Sequence, residues 1–219
     1  VSAPNPALKA VFWDFGGVFT TSPFVAFNRY EDEHGLPKDF IRQNNARNPH
    51  DNAWARMERN DITADEFAGL FEEETRELGH PVSGADILPL LAGDVQDEMV
   101  AALKQVRQHY KTACLTNNMR TGKGPSMTRD PAKAEQIGEI MTLFDRVVES
   151  SQVGIRKPEP GFYEIACELM DVTPADTVFL DDLGINLKPA KAMGMTTIKV
   201  LSPDQALGEL GEILHLDLI

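Results

Sequence analysis

Five short apolar runs recur along the chain, and segments of helix length separate them. They read Lys9–Asp14 (KAVFWD), Thr112–Thr116 (TACLT), Arg146–Glu149 (RVVE), Thr177–Asp181 (TVFLD) and Thr196–Val200 (TTIKV). Runs of this length are strands, and strands that alternate with helices build a parallel sheet covered on both faces. The pattern therefore predicts an α/β chain with a doubly wound parallel sheet.

The helices between the runs have readable starts. Asp130-Pro131 offers a cap and a first-turn proline ahead of Ile137, Ile140, Met141 and Phe144. Glu159–Met170 repeats the pattern, with Phe162, Ile165, Ala166 and Leu169 as its expected apolar stripe. Gln96–Tyr110, with Met99, Val100, Leu103 and Val106, leads into the second strand.

About a hundred residues lie between the first run and the second, far more than one crossover needs. No strand is apparent in that interval, so it is expected to hold an inserted helical module. Thr63 and Glu66 form a capping box ahead of Phe67, Leu70, Phe71 and Leu78, while Ser22-Pro23 and Leu36-Pro37 open two earlier helices. The organisation read from this is a core of residues 1–17 and 93–219 interrupted by a helical cap at 18–92.

Composition narrows the partners. A formal net charge of −13 repels a polyphosphate backbone, which argues against nucleic acid. Cys114 and Cys167 are too few for a disulfide framework and too far apart for a CxxC pattern, so a reducing compartment is expected. No stretch reaches the roughly 18 apolar residues of a membrane span, and Val1–Ala10 lacks the regions of a signal peptide. A cytoplasmic protein with no membrane partner is the expectation.

In an open parallel sheet, ligands bind beyond the carboxyl ends of the strands. Four such ends carry polar residues here: Asp14, Thr116 with Asn117, the Lys157 loop after the third strand, and Asp181-Asp182. Converging carboxylates repel one another unless a cation lies between them, and an all-oxygen group suits Mg²⁺.

Asp14-Phe-Gly-Gly-Val18, Leu115-Thr-Asn-Asn118, Lys157-Pro-Glu-Pro160 and Phe179-Leu-Asp-Asp-Leu-Gly-Ile-Asn186 follow the order and spacing of the haloacid dehalogenase (HAD) superfamily. The resemblance spans the chain. Ser150–Gly161 and Val178–Gly194 are most similar to the N-terminal phosphatase domain of soluble epoxide hydrolase and to related single-domain bacterial hydrolases. It implies a Rossmann-like core with a small helical, C1-type cap, and a Mg²⁺-dependent hydrolysis of small organic phosphomonoesters.

By the same resemblance Asp14 is the nucleophile that forms an aspartyl-phosphate. Asp14, the Gly16 carbonyl, Asp181 and Asp182 hold the metal. Thr116 and Asn117 bind phosphate oxygens, Lys157 neutralises charge on the transferring group, and Asn186 is a further substrate-side position.

One position departs from the pattern. Most phosphatases of this superfamily carry a second Asp two residues after the nucleophile, as general acid and base; here that residue is Gly16. The loop is also expected to use glycine backbone angles. General acid–base help is commonly worth roughly 10²–10⁴-fold. Two other readings therefore stand beside the phosphatase: a catalytically weak phospholigand-binding or regulatory domain, and a 2-haloacid dehalogenase. The last also lacks that Asp, but it uses no metal and no tandem Asp.

The cap says less. Arg29, Arg42, Arg47, His50, Arg56 and Arg59 are expected to be mostly solvated or paired. Phe24, Phe27 and Trp54 read first as cap-core packing and second as a substrate wall. Arg120–Arg129 (RTGKGPSMTR) lacks the ending of a P-loop and reads as a loop with a secondary claim on phosphate.

Overall fold

Strand β1 (Ala10–Trp13) is buried at all four positions, so both of its faces need cover. In the computed structural model, which describes residues 3–119, 128 and 130–218, it is the central strand of five. Its partners are β2 (Lys111–Thr116), β3 (Arg146–Glu149), β4 (Thr177–Asp181) and β5 (Thr196–Lys199). They lie in the order β3-β2-β1-β4-β5, all parallel. The chain winds outward from β1 to β3 and then returns to β4 on the other side, which opens a crevice at the carboxyl ends of β1 and β4.

Alternate residues of each strand feed two separate cores, as a period of two requires. Val11, Trp13, Cys114, Val178, Leu180 and Ile198 pack with α6 (Asp97–Val106), α7 (Pro131–Met141) and α11 (Pro203–Leu214). Phe12, Ala113, Leu115 and Phe179 face the other way, toward α9 (Pro160–Met170) and α10 (Gly184–Ala192). A one-turn helix, α8 (Ser150–Val153), follows β3 directly.

Between β1 and β2 the chain builds α1 (Pro23–Glu33), α2 (Phe40–Ala46), α3 (Ala53–Glu58), α4 (Ala64–Glu77) and α5 (Gly84–Ile87). These enclose a third core around Phe27, Ile41, Met57, Phe67, Phe71 and Ile87. Each fully buried Phe contributes about 1.5–3 kcal/mol relative to exposure. The insertion joins the sheet at an antiparallel bridge between Thr20 and Val95, and Gln96 Nε2 donates to the carbonyls of Val18 and Thr20.

The Thr63–Glu66 capping box and the Asp130 cap form as the sequence suggests. Two local expectations change. Helix α2 begins at Phe40 rather than at Pro37, because the buried Glu31 carboxylate accepts from Asp39 N and Ile41 N and caps it from α1. The stripe of α9 is Phe162, Tyr163, Ala166, Cys167 and Met170, whereas Leu169 is half exposed. The face is turned because the Tyr163 hydroxyl donates to the Asn186 carbonyl at 2.7 Å. No helix among the described residues is long and apolar enough to cross a membrane.

Candidate active site

The crevice between β1 and β4 gathers the predicted strand-end residues. Asp14 follows β1 and is held in line by its own N–H, which donates to Leu180 O at 2.8 Å. Asp181 closes β4, and Asp182 follows it. One carboxylate oxygen from each of Asp14, Asp181 and Asp182 lies within 4.8 Å of the others.

Lys157 enters this group from the loop after α8. Its ammonium is fully buried and lies 2.8 Å from Asp14 Oδ1 and 2.8 Å from Asp181 Oδ2. Asp14 Oδ1 also accepts from Phe15 N at 2.7 Å, so two donors fix the orientation of that carboxylate. Asp181 is fixed as firmly: Leu183 N donates to Oδ1 at 2.8 Å, and Asn186 Nδ2 lies 3.1 and 3.0 Å from its two oxygens. Asn186 thus reaches the site through Asp181 from the first turn of α10.

Asn117 grips the Lys157 backbone in both directions. Its Oδ1 accepts from Lys157 N and its Nδ2 donates to Lys157 O, each at 2.9 Å. Thr116, the last residue of β2, is buried and lines the cavity above the site. Asn118 bonds to Glu149, Ser150 and Ser151, which ties the end of β2 to the end of β3.

The two loop glycines differ. Gly17 has φ +76° and a Cβ placed on it would lie 2.3 Å from Asp182 Oδ2, so the close approach of Asp182 depends on a residue without a side chain. Gly16 has no left-handed φ, and a Cβ there would meet nothing within 4 Å. The expected glycine geometry therefore belongs to Gly17 alone.

Electrostatically the group is unbalanced. Three carboxylates face one ammonium, leaving two negative charges when all are ionised. Burial first, and then Asp181 and Asp182, push the Asp14 carboxyl well above its usual range against the opposing pull of Lys157. Asp182 is pushed up to about 6 by burial and by Asp181. Burial alone would lower the Lys157 ammonium, but Asp14 and Asp181 outweigh it and hold it above its ordinary value.

A cavity of about 460 Å³ opens over these residues, between the sheet and the helical insertion. Its far walls are Phe24, Phe27, Trp54, Leu91, Met119 and Ile137. Phe27 belongs to the insertion's core and Phe24 and Trp54 pack against it, so these aromatics serve core and cavity at once.

Arg42 and His50 also line the cavity, and the Arg42 guanidinium lies 3.9 Å from the centre of the Phe24 ring. Arg47, Arg56 and Arg59 instead pair with Glu77, Asp51 and Asp61. Of the basic loop Arg120–Arg129, all but Thr128 lies outside the described residues.

Two residues at the site escaped the sequence. Glu58 and Arg156 form a largely buried ion pair at the seam between insertion and sheet, and both line the cavity. Arg156 precedes Lys157 and could have been suspected from that alone. Glu58 is the last residue and the one acid of α3, and no local pattern marks it.

A model of the haloacid dehalogenase-like hydrolases matches residues 8–194. The chain belongs to that family. Similar curated proteins include mouse acyl-CoA dehydrogenase family member 10 (33% identical, over 94% of this chain and 19% of that protein) and pig bifunctional epoxide hydrolase 2 (28%, over 97% and 40%). The chain thus spans well under half the length of these two relatives. A sesquiterpene phosphatase of Aspergillus oryzae is matched nearly end to end, at 28% identity over 94% of this chain and 96% of that one. Among solved structures, a HAD-family enzyme of Bacteroides thetaiotaomicron in complex with magnesium and inorganic phosphate shares the fold. Its TM-score is 0.55 at 22% identity, over 87% of this chain and 93% of that one.

Proposed function

We propose that this hydrolase is a Mg²⁺-dependent phosphomonoesterase acting on phosphate esters with an apolar body, with residues 18–92 as its cap. The observation that carries the reading is the set of three carboxylates around one buried ammonium at the β1–β4 crevice, with two negative charges left over. An oxygen donor set of that charge fits a small divalent cation. Asp14, the Gly16 carbonyl, Asp181 and Asp182 are the residues that would hold it. Bound there, Mg²⁺ would offset the charge of an approaching phosphate.

The chain's own residues do the rest. Lys157 and Phe15 N hold Asp14 Oδ1, and among the described residues neither bond uses Oδ2. Oδ2 is then the oxygen turned to phosphorus. Attack forms the Asp14–phosphorus bond as the ester P–O bond breaks, and the departing oxygen leaves with the electron pair and takes up a proton. Water then attacks phosphorus, releasing phosphate and restoring Asp14. Lys157 neutralises charge on the transferring group, while Thr116 donates to a phosphate oxygen. Asn117 and Asn186, which the resemblance places on the substrate side, act through Lys157 and Asp181.

The apolar walls of the cavity support a substrate with a hydrophobic body, and the likeness to a sesquiterpene phosphatase is in keeping with that. Gly16 favours the second reading, a domain that binds phospholigands but turns them over weakly, because it supplies no proton carrier. The tandem Asp181-Asp182 weighs against a dehalogenase, since it fills with charge the space a haloacid carboxylate would need. A screen of phosphorylated metabolites, with and without Mg²⁺, tests the proposal. Metal-dependent phosphate release that rises with apolar bulk is expected; binding of phosphate with no turnover of any ester would favour the second reading.

A further inference from the structure

We propose that Glu58 is a positioning residue that couples the apolar wall of the cap to the Lys157 loop. The inference rests on the phosphatase reading only for the role of Lys157; the coupling itself stands on geometry. Glu58 ends α3 and is 7% exposed. Its Oε1 accepts from Trp54 Nε1 at 3.0 Å, and Trp54 is a wall of the cavity. Its Oε2 accepts from Asn117 Nδ2 at 3.2 Å and from Arg156 Nε. Asn117 in turn holds both backbone polar groups of Lys157, and Lys157 holds Asp14. A continuous chain of bonds therefore runs from the indole that faces the substrate body to the carboxylate at the phosphate end.

The backbone reinforces the join. Ser150 Oγ donates to Glu58 O at 2.7 Å, and Arg156 Nη1 donates to Pro49 O at 3.0 Å, so the α2–α3 loop and the end of α3 are both seated on the core. Fastening alone does not call for a carboxylate at this place. A buried charge carries a desolvation penalty, and a well-packed apolar contact would serve as well or better. What the carboxylate adds is three convergent N–H acceptances linking Trp54, Asn117 and Arg156. Because donors occupy both oxygens, Glu58 is held as an acceptor and does not replace the proton carrier missing at Gly16.

Functionally, an apolar body seated against Trp54 would favour the docked position of α3, and Glu58 would pass that preference to Asn117 and Lys157. Binding energy from the remote part of the substrate is then expressed at the phosphate, in kcat rather than in KM. Glu58→Gln keeps the shape but replaces one acceptor oxygen with an NH2 group, so the chain of bonds is broken either at Trp54 or at Asn117 and Arg156.

The test uses phenyl phosphate and 4-biphenylyl phosphate, which are similar in leaving-group acidity and differ in apolar reach. Glu58→Gln should lower kcat for the biphenylyl ester about tenfold or more and for the phenyl ester less than about threefold, with KM changed less than about threefold for either. Equal losses on both esters would overturn the coupling.

A second readout needs no turnover. Amide hydrogen exchange in Glu58→Gln should quicken together in residues 53–59 and 155–159, and Arg156→Gln, which breaks the same pair from the core side, should reproduce this. Faster exchange in 53–59 alone would leave Glu58 a fastening and defeat the proposal. If the wild type hydrolyses neither ester, the phosphatase reading fails while the exchange result still decides the coupling.

Discussion

The Lys157 ammonium lies 2.8 Å from Asp14 Oδ1 in a position with no solvent exposure. It makes the same distance to Asp181, so one cation is shared between two of the three carboxylates at the crevice. Removing one partner from a buried ion pair typically costs about 3–5 kcal/mol, since it strands uncompensated charge. Lys157→Met should therefore lower stability by about 3 kcal/mol or more in metal-free buffer, read as a shift of the urea midpoint. An unchanged midpoint would show that the pair is not formed.

The adjacent glycines give a paired prediction. Gly17→Ala places a methyl group against Asp182 and forces a non-glycine residue to φ +76°, a strain of about 1–2 kcal/mol. Gly16→Ala meets no atom and no such φ. Thermal unfolding should fall for Gly17→Ala and stay within about 0.5 kcal/mol for Gly16→Ala. The Mg²⁺ concentration for half-maximal effect should rise only for Gly17→Ala, because Asp182 must move; equal behaviour of the two variants would refute this account of the loop.

Sequence alone placed the strands and the polar residues at their ends, because a buried strand needs an unbroken apolar run and Asp14, Thr116 and Asp181 mark where such runs stop. The links between those ends were not legible. Glu58 meets Asn117 across 59 positions and Arg156 across 98, and no local pattern records contacts of that separation. Glu31, eight and ten residues before the amides it caps, hid the start of α2 in the same way. For α9, Tyr163 rather than Leu169 faces inward because of a bond to a helix that lies elsewhere in sequence. The apolar cavity is likewise a product of packing: Phe24, Phe27 and Trp54 look like core residues until the cap is set over the sheet.

Gly16 predicts a dependence on the leaving group. With no carboxyl there to protonate the departing oxygen, the first displacement relies on the stability of the leaving anion. Rates should fall steeply as leaving-group pKa rises across a series of phosphate esters of similar size. Gly16→Asp should flatten that slope, since the position has room for a side chain and an ordinary backbone. A flat wild-type series, with chemistry rate-limiting, would mean that another group already delivers the proton.

The two cysteines report on unfolding. Both are free and buried; burial pushes the Cys167 thiol up to about 11 and Cys114 well above its usual value. At pH 8 a thiol with a pKa near 11 holds only about one thiolate in a thousand. Iodoacetamide should therefore leave both thiols of the native protein unmodified and label both in urea. The raised folded value also fixes the sign of the pH effect: the Cys167 contribution is intact below about 9 and is lost as pH rises toward about 11. Rapid labelling of either thiol in the native protein would contradict this.

The central claim is that Asp14 attacks phosphorus at a site completed by a divalent cation. The most direct measurement is phosphate release from an aryl phosphate by the wild type and by Asp14→Asn, each with Mg²⁺ and with a chelator, alongside chloride release from 2-chloropropionate. We predict Mg²⁺-dependent phosphate release by the wild type, loss of turnover in a folded Asp14→Asn protein, and no chloride. Phosphate release that survives in Asp14→Asn or in the chelator, or chloride release without metal, would contradict the account.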